Sequence, residues 1–113
     1  MSNSVNTNIQ EIDAATHALQ QRAEEVAARL GLVANAKRLL ILCELTQGER
    51  SVGALQQAVG LSQSALSQHL AKLREANVVA TRREGQTIYY RISDPHIETL
   101  MAALYEAFCR PGP

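Results

Sequence analysis

The stretch that decides the architecture is residues 51–92, SVGALQQAVGLSQSALSQHLAKLREANVVATRREGQTIYYRI. It opens on Ser51, a side chain suited to capping a short helix over 52–59 in which Leu55 and Val59 face inward. Gly60 follows and can take the positive φ that a tight turn requires. A second helical pattern runs over 63–76, with Ala65 or Leu66, Leu70 and Leu73 on one side. Gln63, Ser64, Ser67, Gln68 and Lys72 fall on the other. Asn77 ends this helix, because Asn tolerates the left-handed conformation nearly as well as Gly. Runs 78–83 and 87–92, rich in β-branched and aromatic residues, read as paired strands joined through Arg83, Glu84, Gly85 and Gln86. Helix, tight turn, polar second helix and basic hairpin, in that order, make a winged helix-turn-helix. That arrangement lays one helix in the DNA major groove and a hairpin along the backbone.

Upstream, residues 1–8 are rich in Ser and Asn and are expected to be disordered. Over 9–30, Ile12, Leu19 and Val26 recur at sevens beside Thr16, Ala23 and Leu30, a narrow apolar stripe suited to packing against another helix, which Gly31 would stop. A second helix over about 34–46 contains Leu39, Leu40, Ile41, Leu42 and Cys43, apolar around most of its circumference and therefore expected to be buried. Residues 47–50 form a turn. Downstream, Asp94 and Pro95 start a last helix whose apolar face is Ile97, Leu100, Met101, Leu104, Tyr105 and Phe108. The expected fold is mainly α with a small β-hairpin, α1-α2-α3-α4-β1-β2-α5, forming a single domain over 1–113. The stripe on 9–30 and the helix within 94–110 would form a homodimer interface, since one reading helix on one half-site gives too little affinity and specificity.

Net charge is zero, yet it is unevenly distributed. Residues 62–92 hold Lys72, Arg74, Arg82, Arg83 and Arg91 against Glu75 and Glu84, which concentrates positive charge on the segment that would face phosphates. No apolar run approaches the roughly 18 residues of a membrane span, and 1–10 lacks the basic-then-apolar order of a signal peptide, so a cytoplasmic location is expected. With no Trp and one Phe, the chain is poorly equipped to build a large aromatic ligand pocket, and no cofactor is expected. No nucleophile, base and orienting group converge, which argues against an enzyme.

Major-groove reading needs side chains short enough to let a helix sink in and polar enough to meet base edges. Ser64, Ser67 and Gln68 satisfy both, Gln being able to bond adenine in bidentate fashion. Ser62, Gln63 and Ser64 lie at the helix start, where hydroxyls and free backbone N–H groups suit phosphate. Lys72 would reach the backbone, and Arg82, Arg83 and Gln86 on the hairpin are candidates for minor-groove or phosphate contact. A polar face with scattered basic residues can equally be a solvated surface; the order of turn, small-residue helix start and basic hairpin favours DNA. His69, beside the core row, reads as a packing or orienting residue, and His17 and His96 as surface residues.

The segment 61–92 resembles the DNA-binding core of the arsenic repressor (ArsR) family of bacterial regulators. The resemblance rests on Leu61-Ser-x-Ser-x-x-Ser-Gln-His-Leu70, Leu73-Arg74, Val78-Val79 and Arg82-Arg83-x-Gly85-x-x-x-x-Tyr90-Arg91, and it extends to Arg38-Leu39. Asn77 stands where Gly is common, and Asn35-Ala36 where His-Pro or Asp-Pro is more usual. The resemblance implies a homodimer that binds double-stranded operator DNA, an imperfect palindrome, and is released by an inducer.

Metal-sensing members carry Cys-x-Cys in the first helix of the helix-turn-helix, where this chain has 51–55 without cysteine. Asp94-x-His96 is present, but no second His follows, so the donor set is incomplete and no metal site is expected. The two cysteines, Cys43 and Cys109, together with the ending 103–109, are similar to the BigR/SqrR persulfide-sensing branch. That similarity implies a dithiol which reactive sulfur (persulfide or polysulfide) links through a disulfide or longer sulfur bridge, freeing the operator. Left to themselves, two cysteines in helices are more often small apolar residues than sensors. Cytosolic disulfides are rare, however, so a pair that does oxidise is usually a sensor. Glu44, Glu106 and the negative end of the last helix disfavour thiolates, with Arg110 as an offset. Alternatives are a metal-responsive or general redox-responsive repressor, and an anti-repressor that competes with another DNA-binding regulator.

Overall fold

The computed structural model describes residues 2–112, with side chains from Ile9 onward. The chain divides into two compact units, Met1–Gly31 and Leu32–Pro113. In the first, two helices, α1 (Ser2–Gln21) and α2 (Ala23–Val33), replace the single helix expected over 9–30. At the break the Arg22 N–H bonds the Leu19 carbonyl in a tighter three-residue turn, 3.1 Å. The Arg22 side chain then pairs with Glu25 at 2.6 Å. Gly31 does not stop α2, which continues to Val33; a helical glycine costs only about 1 kcal/mol, and Val33 is buried. Of the apolar stripe read from the sequence, Ile12, Leu19 and Leu30 are exposed and Val26 is half-buried; Ile9, where the helical pattern begins, is exposed as well. Of the residues expected to be disordered, 2–8 form the start of α1, and Met1 lies outside the described residues.

The second unit follows a simple local grammar. Asn35 caps α3 (Ala36–Leu45), its Oδ1 accepting from the N–H groups of Lys37 and Arg38 at 3.0 and 3.1 Å. Ser51 caps α4 (Val52–Val59) through the Ala54 N–H at 3.1 Å, and Gly60 closes it at φ 65°. Ser62 caps α5 (Gln63–Glu75) through the Ala65 N–H at 3.2 Å.

The end of α5 is a Schellman turn. Asn77 takes φ 59°; its N–H bonds the Arg74 carbonyl and the Val78 N–H the Leu73 carbonyl, both at 2.9 Å. Val78 and Leu73 are both fully buried, so the same turn that ends the helix plants the first residue of the hairpin in the core. Strands β2 (Val79–Glu84) and β3 (Thr87–Ile92) pair antiparallel from Val79↔Ile92 to Glu84↔Thr87, around the two-residue turn Gly85-Gln86 with Gly85 at φ 62°. A third strand that the sequence reading did not anticipate, β1 (Arg50–Ser51), joins the other edge of β3, giving the order β1-β3-β2. The closing helix, α6 (Pro95–Phe108), is capped by Asp94, which accepts from the His96 N–H at 2.9 Å.

The core includes Ile41, Leu42 and Leu45 of α3, Leu55 and Val59 of α4, Leu66, Leu70 and Leu73 of α5, Val78 and Val79 at the start of the hairpin, Tyr90 and Ile92 of β3, and Ile97 and Met101 of α6. Two burial expectations need correction. Only one face of α3 is inside; Leu40 and Cys43 are exposed, because the core occupies a single side of the helix. On α6, Tyr105 and Phe108 are exposed, Phe108 at 82%. Among the described residues no helix is long and apolar enough to cross a membrane.

Adjacent positions of α3 should therefore respond differently to truncation. Leu42→Ala is expected to cost about 2–5 kcal/mol of unfolding free energy by urea titration. Cys43→Ser should stay within about 0.5 kcal/mol, and a large loss there would contradict its exposure.

Candidate nucleic-acid interface and thiol pair

Burial of Leu66, Leu70 and Leu73 turns the opposite side of α5 outward. Ser62, Gln63, Ser64, Ser67, Gln68 and Lys72 are all exposed, on one helix and its cap, as expected. Ser62 does double duty, since its Oγ caps the helix and lies 3.4 Å from Ser64 Oγ. His69 is half-buried with its Nδ1 shielded and without a hydrogen-bond partner, as suits a packing residue.

Beyond Ala80 every residue of β2 is exposed, so the outer half of the hairpin projects as a wing. Arg83 and Gln86 are exposed on it. Arg82, expected to meet DNA with them, has other partners. Its Nη2 lies 2.7 Å from Glu49 Oε1, its Nε 3.1 Å from Glu49 Oε2, and its Nη1 2.7 Å from Glu84 Oε2. Its guanidinium also sits 4.5 Å from the centre of the Tyr89 ring. The hydrogen bonds from Arg82 hold the Glu49 carboxyl below its usual range against partial desolvation, with the charges of Arg82 and Arg91 adding to the effect. A carboxylate depressed in this way contributes stability above its ordinary pKa and loses it as pH falls through the lowered value. Sequence reading missed Glu49 and Tyr89. Tyr89 was within reach, because a two-residue turn at Gly85-Gln86 sets Arg82 opposite it. Glu49, 33 residues from Arg82, carried no local signal.

Cys43 on α3 and Cys109, the C-cap of α6, are both exposed. Although Cys43 as a residue is exposed, partial burial of its thiol is the first cause of a pKa raised above the ordinary value; Cys109 and Glu44 push it further the same way. Asp94 and His96 do meet, Oδ1 to Nδ1 at 3.2 Å. Among the described residues, no three His, Cys, Asp or Glu side chains gather as a metal site. An open groove of about 690 Å³ beside α6 is lined by Glu49, Arg91, Met101 and Tyr105 among others, and it includes neither cysteine.

Residues 35–81 match the profile of bacterial regulatory proteins of the arsR family. The chain is 46% identical over 94 residues to the biofilm growth-associated repressor of Agrobacterium fabrum, covering 83% of this chain and 80% of the relative. Among solved structures, the transcriptional repressor BigR from Xylella fastidiosa superposes with a TM-score of 0.80 at 41% identity, covering 85% of this chain and 98% of that one. Reduced HlyU from Vibrio cholerae superposes with a TM-score of 0.77 at 40% identity, covering 82% and 98%.

Because shielding, Cys109 and Glu44 all disfavour the Cys43 thiolate, its alkylation by iodoacetamide should reach half its limiting rate at a higher pH than free cysteine. Cys109→Ser should lower that midpoint. A midpoint at or below that of free cysteine would contradict the shielded environment.

Proposed function

The chain belongs to the arsR family of bacterial regulatory proteins; on that premise we propose a homodimeric transcriptional repressor whose Cys43/Cys109 pair senses reactive sulfur. The observation that carries this reading is a pair of exposed cysteine residues on different helices of one chain, Cys43 on α3 and Cys109 at the end of α6, the second adding to the raised pKa of the first. The likeness to a relative solved in a form described as reduced supports redox control.

The chemistry requires only a persulfide, RSSH, as oxidant. One cysteine thiolate attacks the outer sulfur, becomes a cysteine persulfide and releases RSH. The second thiolate attacks the inner sulfur of that persulfide, so that a disulfide forms and hydrogen sulfide leaves. Insertion of further sulfur before closure gives a longer bridge and relaxes the roughly 7 Å limit on Cα separation that a direct disulfide imposes. Either bridge ties α3 to the end of α6. Since Ile41, Leu42 and Leu45 of α3 share a core with Leu66 and Leu70 of α5, a shift of α3 strains the seat of the reading helix. Half-sites lie about 34 Å apart, so a small rotation of the two reading heads mismatches them.

The operator surface is assigned to Ser62, Gln63, Ser64, Ser67, Gln68 and Lys72 with Arg83 and Gln86. Ser64, Ser67 and Gln68 meet base edges, and the remainder meet phosphate and sugar. The second copy covers the exposed apolar residues Ile9, Ile12 and Leu19 of α1 and Tyr105 and Phe108 of α6, which a lone chain leaves in water.

Cys43→Ser and Cys109→Ser are each expected to keep operator affinity while losing release by persulfide, measured by fluorescence anisotropy. Normal release by either variant would defeat the sensor reading. Gln68→Ala should cost about 1–3 kcal/mol at a matched operator and relax choice at one base pair. An equal loss on every sequence would reduce Gln68 to a backbone contact.

A further inference from the structure

Arg82 stands on a basic wing, where a phosphate contact is the obvious role, yet its guanidinium is already engaged on three sides. In the order β1-β3-β2 it starts from one outer strand and passes over Tyr89 of the middle strand, its own cross-strand partner. It ends on Glu49, immediately before the other outer strand, which it grips through both Nε and Nη2. A third donor, Nη1, holds Glu84 at the wing tip. The three charged groups sum to one negative charge, so the cluster as built repels a phosphate.

We propose that Arg82 is a positioning residue for DNA binding, clamping the wing across the sheet to the turn between α3 and β1, and that its neighbour Arg83 makes the wing's phosphate contact. The proposal rests on the DNA-binding reading above. Four features of the cluster argue for it. A planar fork gripping a carboxylate in bidentate fashion fixes direction as well as distance. The ring of Tyr89 supports the guanidinium from below. β1 is only two residues long, so backbone pairing alone secures that edge weakly. Arg83, paired with Ile88, points to the opposite face of β2, exposed and, among the described residues, without an ion-pair partner.

The two roles predict opposite signs. If Arg82 contacted phosphate, Glu49→Gln would release it, remove a negative charge and tighten binding. If Arg82 is a clamp, Glu49→Gln loosens the wing and weakens binding despite the more favourable charge. The test uses the full chain and a duplex that the wild-type protein selects from a random-sequence library, titrated at several salt concentrations. Arg82→Gln and Glu49→Gln should each weaken binding about two- to fivefold. The double variant should be no weaker than the worse single, and the slope of log K against log salt should stay at the wild-type value.

Amide hydrogen exchange in the free protein should rise across β2 and β3 to the same degree in both single variants. Tighter binding by Glu49→Gln, a salt slope flattened by about one per protomer in Arg82→Gln, or unchanged exchange in the wing would each overturn the clamp. Failure of the wild-type chain to select any duplex would remove the DNA reading itself, and the clamp's role with it. Selection by the wild type followed by tightening in Glu49→Gln removes the clamp alone.

Discussion

Burial of the Leu66, Leu70 and Leu73 row of α5 against Ile41, Leu42 and Leu55 is the constraint on which the other features depend. Each of these leucines is removed from water almost completely, worth roughly 1.5–3 kcal/mol apiece. Rotating α5 by one residue would put Ser67, Ala71 and Arg74 in their place, exchanging three apolar side chains for a hydroxyl, a methyl and a charge. The helix therefore has one stable rotation, and that rotation turns Ser64, Ser67, Gln68 and Lys72 outward. The wing inherits the same anchor, because the Schellman turn places Val78 in the core beside Leu73 before the hairpin departs. The orientation of α5 and the departure of the wing are thus set by one patch of aliphatic packing and one left-handed asparagine.

Charge is organised at a finer scale than the net value of zero suggests. On the wing, Arg82 is absorbed by two carboxylates while Arg83 is left facing solvent. Adjacent arginines on one strand point to opposite faces, so the same residue type serves the sheet on one side and remains available on the other. A count of basic residues over 62–92 treats them as equivalent; the register of β2 against β3 does not.

Most of the architecture was legible because it is written in local signals. Ser51, Gly60, Ser62, Asn77, Gly85 and Pro95 each act within a turn of their own position, and each occupies the role its chemistry suggests. The polar face of α5 followed from the spacing of its leucines. What was not legible depends on partners distant in sequence. The strand β1 exists only because β3 offers an edge to Arg50 and Ser51. Cys43 sits in a run of apolar residues, and nothing local reveals that the core covers only the Ile41, Leu42 and Leu45 side. Gly31 reads as a stop on its own, yet burial of Val33 carries the helix past it. Arg82 reads as basic until Glu49 is brought to it by the fold.

The central claim is that two sulfur atoms of one chain become joined and DNA is thereby lost. Intact-mass analysis under denaturing, non-reducing conditions tests it most directly, on protein exposed to inorganic polysulfide while bound to its operator and then separated into bound and free fractions. The free fraction is expected to be single chains lacking two hydrogens, or carrying whole sulfur atoms between Cys43 and Cys109, while the bound fraction keeps its unmodified mass. Release without any mass change, or joining of Cys43 and Cys109 only between two chains, would contradict it.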